Sequence, residues 1–218
     1  MLLFDLPHAT LRLGVVRAEH VCFQPSSVTL LAELTRVEAR VRADPALFPE
    51  SVRSALRDVL RVGGYKPTGR GKPASELLLA LALKEALPHI GNLVEINNLV
   101  SLESALPISM FDAARLGPAP LVRFGRPGES YVFNNAGHAM DVAGLPVVCR
   151  SADDTPIGNA VRDSMLGKVT SSTSSVLAVV YGSRLFPDSV LLGAVDRLSG
   201  LLREHADASG ISTAVVPD

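Results

Sequence analysis

The sequence predicts an α+β fold. Segments with helical periodicity gather in the first half, and short β-like runs separated by turn signals gather in the second. No regular βαβ alternation links them, which argues against a doubly wound parallel sheet. The 218 residues are 47% hydrophobic and 20% charged, enough for one sizeable core. A single domain over 1–218 is expected, helical to about residue 105 and strand-rich from about 106. With no tryptophan and 5% aromatics, that core must be built from Leu, Val, Ala and Ile.

The elements follow in order. Leu11–Arg17 alternates as a strand. Ser26–Arg42 carries Leu30, Leu31, Leu34, Val37 and Val41 at helical spacing, and Pro45 stops it. A second helix runs from Pro49 to Val62 on Val52, Leu56, Val59 and Leu60. A Gly- and Pro-rich loop from Gly63 to Lys72 precedes Pro73, which suits the first turn of a helix over Ala74–Leu87. That helix is nearly all apolar and reads as buried, and Pro88 ends it. Asn92–Ala105 is a further helix. Strands are predicted at Leu121–Phe124, Tyr131–Phe133, Leu145–Arg150 and Val176–Tyr181, then a helix over Pro187–His205 and a last strand at Ile211–Val216.

Bulk properties exclude several classes. A net charge of −1 argues against broad nucleic-acid binding, DNA included, but leaves room for a basic patch gripping one RNA end. Two cysteines, Cys22 and Cys149, make no disulfide framework. Met1–Val16 lacks the basic and apolar regions of a signal peptide, and no apolar run reaches membrane-spanning length, so a cytoplasmic location is expected. The histidines, His8, His20, His89, His138 and His205, form no His-x-x-x-His pair and there is no Cys-x-x-Cys. No metal and no cofactor are expected, and the histidines read as surface or satisfied residues, with His138 kept as a candidate among the later strands.

The chemistry concentrates in a few places. Gly64 and Gly69 have P-loop spacing, but Arg70-Gly71 follows and a helix precedes, so a nucleotide-hydrolysing loop is rejected. Lys66, Arg70 and Lys72 remain on flexible backbone ahead of a helix, suited to phosphate or to an ordinary solvated loop. Cys149 ends an apolar run and reads as a small buried hydrophobe rather than a nucleophile, and the Gly-x-Ser-x-Gly elbow is absent. Asn97 and Ser101 share one face of an apolar helix, with Asn98 beside them, either as a buried network or as a pocket wall. The run Arg162–Thr173 packs Arg162, Asp163, Ser164, Lys168, Thr170 and Thr173 just before a buried strand. It reads either as a ligand site, with Arg162 and Lys168 holding an anion, or as a salt-bridged turn capped by hydroxyls.

Taken together, five segments in order resemble a known family. They are Lys66–Glu76, Val94–Glu103, Leu106–Asp112, Leu121–Arg123 and Arg162–Thr173, spanning most of residues 60–182. The chain resembles free-standing relatives of the B3/B4 (tRNA-editing) domain of the phenylalanyl-tRNA synthetase beta subunit. The resemblance implies a β-sandwich-like core flanked by helices, and metal-free, water-mediated hydrolysis of a misacylated tRNA or a similar aminoacyl ester. It implies a pocket in which Asn97, Asn98, Ser101, Ser109, Arg123, His138, Arg162 and Ser164 bind substrate. Asp163 would orient water or the substrate amine, Lys168 would hold an anionic group, Thr170 and Thr173 would supply donors, and Lys66, Arg70 and Lys72 would meet the tRNA backbone. In the synthetase this domain hydrolyses tyrosine mistakenly attached to its tRNA; here Ser109 stands where the family pattern has a histidine, apolar residues around Val179 replace a glutamate, and Asn159–Asp163 replace a glycine-rich turn, so that selectivity for tyrosine is not expected. Two alternatives stay open on the same fold. One is a non-catalytic amino-acid- or metabolite-binding protein, or a partner of another enzyme. The other is a hydrolase or transferase of a small aminoacyl conjugate.

Overall fold

The computed structural model describes residues 2–6 and 10–217; His8 lies outside them. Two four-stranded sheets pack face to face, and helices cover the outer face of one of them, giving an α+β sandwich. The first sheet is antiparallel throughout. It runs β10 (Ser209–Val216), β2 (Leu11–Glu19), β9 (Ser175–Ser183), β3 (Ile108–Asp112). The second runs β1 (Leu3–Phe4), β4 (Leu121–Phe124), β7 (Pro146–Cys149), β8 (Pro156–Asn159), with only the β1–β4 pair parallel. A separate hairpin, β5 (Ser130–Val132) and β6 (Ala139–Asp141), projects from the second.

Strand periodicity builds the two cores. Along β2, Leu11, Leu13 and Val15 point into the sandwich while Val16 and Ala18 point to the helices. Along β9, Leu177, Val179 and Tyr181 face the sandwich, and Val176, Ala178 and Val180 face the helices. Those helices are α1 (Val28–Ala43), α4 (Asn92–Ser104) and α6 (Asp188–His205), contributing Leu34, Leu99 and Leu198 among others. Gly14 lets α6 lie directly on β2, because an added Cβ would overlap Val195. Ser27 caps α1 by accepting from the Leu30 N–H at 3.2 Å, a contact worth about 1 kcal/mol.

α2 (Glu50–Arg61) contributes Val52 and Leu56 to the helical core and Val59 and Leu60 to the sandwich core. Arg57 on α2 and the buried Glu76 on α3 (Ala74–Ala82) form an ion pair, with Nε donating to Oε1 at 2.6 Å. α3 is shorter than its apolar run predicts. The chain turns out through Glu85 at φ 54°, the Ala86 N–H bonds back to the Leu81 carbonyl, and Leu81 and Leu83 are exposed rather than buried. Sequence periodicity also misses β3, β6 and β8, each five residues or fewer. α5 (Ala113–Leu116) is a single turn after β3. No helix among the described residues is long and apolar enough to cross a membrane.

Candidate functional site

β3 is an edge strand, so its outer side needs covering. The segment after β8 does this: it runs beside β3 and bridges Phe111 to Lys168. Between that segment, β3 and α4 lies a cavity of about 280 Å³. Leu93, Val94, Ile108, Met110 and Val169 form its apolar wall, Ile90 its rim, and Asn97, Asp163 and Lys168 its polar groups. Three residues singled out from two separate sequence segments thus share one concavity.

Asp163 is the most perturbed acid of the site. Its carboxyl pKa is pushed up to about 7, because burial outweighs the Ser109 hydroxyl, the Asn159 backbone N–H and the Lys168 charge, all of which favour the ionised form. Ser109 Oγ donates to Asp163 Oδ1 at 2.7 Å and sits 3.1 Å from the Tyr181 hydroxyl. Burial and the neighbouring Asp163 charge hold the Tyr181 phenol well above its usual range. Gly158 makes room for this carboxylate, since an added Cβ would come within 2.5 Å of Oδ1 and closer still to the Phe111 ring. Across the cavity Asn97 Oδ1 is buried and makes no hydrogen bond among the described residues. An unsatisfied acceptor lining an apolar cavity is suited to a donor from a ligand.

The β5–β6 hairpin fixes the other side. Lys168 Nζ donates to the Phe133 carbonyl at 2.9 Å, and the Arg162 guanidinium lies 4.7 Å over the Phe133 ring. Tyr131 donates to the Arg162 carbonyl at 2.6 Å, and Asn159 Nδ2 donates to Tyr131 at the same distance. His138 stacks on Phe133 with centroids 6.1 Å apart, exposed on the hairpin loop. On the basic loop, burial raises the Tyr65 phenol and the Arg162 charge acts against that rise. The Ala74 N–H bonds to the Ala160 carbonyl at 2.8 Å, tying the end of that loop to the same segment. Lys66 and Arg70 are exposed and Lys72 is half-buried.

Several expected site residues are committed elsewhere. Arg123 spends its donors on Glu129, Asp154 and the backbone carbonyls of Phe124 and Asp154, so it anchors a turn rather than a ligand. Thr173 Oγ1 donates to Asp112 at 2.9 Å and accepts from the Thr170 N–H, while Thr170 Oγ1 pairs with Ser172. These hydroxyls close a turn, the second of the two readings of that run. Ser164 caps a short 3₁₀ turn through the Leu166 N–H, and Ser101 donates to the Leu106 carbonyl at 2.7 Å. Asn98 is half-buried on α4 and does not line the cavity. Cys149 is buried and its thiol is pushed up to about 12 by desolvation, as expected of a core residue. His205 is buried, its Nδ1 lying 3.2 Å from Ser27 Oγ while Nε2 makes no hydrogen bond among the described residues. Sequence reasoning passed over Gly158 and Tyr181, whose roles depend on a close approach and on sheet register.

A family model described as the B3/4 domain matches residues 62–190. The chain belongs to the B3/4 domain family. The match takes in the basic loop, α3, α4, β3, the hairpin, the Asp163 segment and β9, and thus the whole cavity. It leaves out β2, which this B3/4 protein places between β9 and β10. Among solved structures, the chain is similar to an N-terminal fragment of the phenylalanyl-tRNA synthetase beta-subunit from Pyrococcus horikoshii, at 14% identity and a TM-score of 0.47. That similarity covers 58% of this chain and 45% of the other, so the chain spans less than half of that fragment. No curated protein matches the chain.

Proposed function

We propose that this B3/4 protein hydrolyses an aminoacyl ester, with a misacylated tRNA as the carrier. The observation that supports it most is the Asp163 carboxyl, pushed up to about 7 at the polar end of an apolar cavity. A carboxylate of that affinity takes a proton from water near neutral pH far better than an ordinary aspartate. The side chain of the aminoacyl group would occupy the wall of Leu93, Val94, Ile108, Met110 and Val169. Its ammonium would donate to Asn97 Oδ1, the unpaired acceptor. Lys168 would face the ester carbonyl and stabilise the oxyanion as water adds. The tetrahedral intermediate then expels the ribose hydroxyl, which recovers a proton, leaving free amino acid and deacylated carrier. Arg162, Lys66, Arg70 and Lys72 would meet the phosphates of the acceptor end.

The test is deacylation over a panel of mischarged tRNAs. Acceleration over buffer with one or more small or apolar aminoacyl groups is expected, and no acceleration with any of them would remove the reading.

A second reading, an amino-acid-binding protein without catalysis, draws support from Thr170 and Thr173. Their hydroxyls are used in a turn, which leaves the cavity fewer donors for an oxyanion. Under it, free amino acids would raise the unfolding temperature while every mischarged tRNA remained stable.

A further inference from the structure

His205, which does not line the Asp163 cavity, is a second buried side chain with an unpaired polar atom. His205, the last residue of α6, is 8% exposed, and its Nε2 has no hydrogen-bond partner among the described residues. Its Nδ1 lies 3.2 Å from Ser27 Oγ. With Nδ1–H donating to that oxygen, Nε2 carries a buried lone pair. No donor among the described residues bonds it. What faces it is acid: Glu204 Oε1 at 3.6 Å, and Glu33 of α1, with one ligand-capable atom of each of the three residues within 4.8 Å of the others.

We propose that Glu33, Glu204 and His205 form a divalent-cation site of the zinc type at the junction of α1 and α6. One imidazole nitrogen and two carboxylates are a donor set that zinc accepts, with water completing the shell. Magnesium and calcium prefer oxygen alone, so the buried nitrogen selects against them. Ser27 serves the role usual for a group behind a metal-bound histidine, fixing the ring and its tautomer. Arg197 holds Glu33 through Oε2 at 2.5 Å and Glu103 through Oε2 at 3.0 Å, leaving Glu33 Oε1 for the cation. The ion would staple the end of α6 to α1, next to where Asn92 Nδ2 donates to the Cys22 and His205 carbonyls at 2.8 Å.

The site is independent of the Asp163 cavity, so its test does not depend on hydrolysis. The untagged 218-residue chain, in a Cys22→Ser background that removes the exposed thiol, is stripped with chelator and titrated with zinc chloride by calorimetry. One equivalent should bind, and the unfolding temperature should rise by roughly 5 °C at about a hundredfold excess over Kd. Glu33→Gln and Glu204→Gln, at partly exposed carboxylates, should each weaken binding about tenfold or more. Glu103→Gln removes the other partner of Arg197 but no ligand, and should bind zinc like the parent. Absence of one-equivalent binding, or parent-like affinity in both ligand variants, would overturn the site. So would a His205 ring that titrates as an imidazolium between the carboxylates and ignores zinc in NMR spectra.

Discussion

Ser109 Oγ donates to Asp163 Oδ1 at 2.7 Å, joining a core-facing residue of an edge strand to the acid at the cavity end. The bond favours the ionised carboxylate, so its removal should raise the Asp163 pKa further. Ser109→Ala should move the acid limb of any pH–rate profile up by about one unit, the worth of one charge-assisted hydrogen bond. Carbon-detected NMR titration of the Asp163 carboxyl measures the same shift directly.

A carboxyl whose folded pKa lies near 7, above its unfolded value near 4, binds more protons folded than unfolded in that window. Stability should therefore fall as pH rises from about 4 to about 7 and stay lower above it, as far as this group is concerned. Asp163→Asn should abolish that decline and gain about 1 kcal/mol at pH 8, after discounting for the water that reaches the half-buried side chain. Urea unfolding of both proteins at pH 5 and pH 8 checks the sign.

Gly158 should tolerate no side chain. The Cβ of Gly158→Ala would press on Asp163 Oδ1 and the Phe111 ring at once, and Phe111 is fully buried. A loss of about 1–3 kcal/mol is expected, together with a displaced Asp163 and a loss of hydrolysis larger than the loss of folded protein.

Arg123→Ala should act on stability and not on substrate binding. It strands Glu129 and Asp154, whose carboxylates are held below their usual range chiefly by hydrogen bonds from Arg123. A cost of about 2–3 kcal/mol is expected, below that of a fully buried pair because both acids are partly exposed. Denaturant midpoints should fall while the KM of the folded fraction stays unchanged.

The basic loop should contribute a salt-dependent term. Replacing Lys66, Arg70 and Lys72 together by serine should weaken tRNA binding and flatten its dependence on salt concentration by about 2, somewhat less than one unit per lost phosphate contact. Hydrolysis of a minimal aminoacyl ester should be untouched. Filter binding across a salt series reads the first effect, and a small-ester assay the second.

The amphipathic stretches of α1, α2 and α6 were legible because their apolar positions recur at helical spacing, and α4 because it is a long apolar run. β3 was not read as a strand: five buried residues, Ile108 to Asp112, show no alternation of apolar and polar. Within the site, Asn97 stood out as a polar group on an apolar helix, and Asp163 and Lys168 as members of a polar cluster ahead of a buried strand. Arg123 stood out too, but composition does not distinguish an arginine that holds a ligand from one saturated by Glu129 and Asp154. The Thr170/Thr173 pair is a matter of spacing: three residues apart, a hydroxyl reaches a backbone N–H as readily as it reaches a substrate. Tyr181 and Gly158 stayed hidden for a different reason. Tyr181 meets Ser109 only through the pairing of Ser109 with Val179, and Gly158 matters only because Asp163 returns to it.

The central claim is that Asp163 takes the proton from the attacking water. The measurement is kcat/KM for deacylation of one responsive mischarged tRNA from pH 5.5 to 8.5 (about three units spanning the Asp163 pKa), for the parent chain and Asp163→Asn. The account predicts a parent rate that rises to a plateau with a midpoint near 7, and a variant slower by about 10²–10⁴ whose profile has lost that limb. A variant that hydrolyses at the parent rate, or a parent profile without a midpoint near 7, would contradict it.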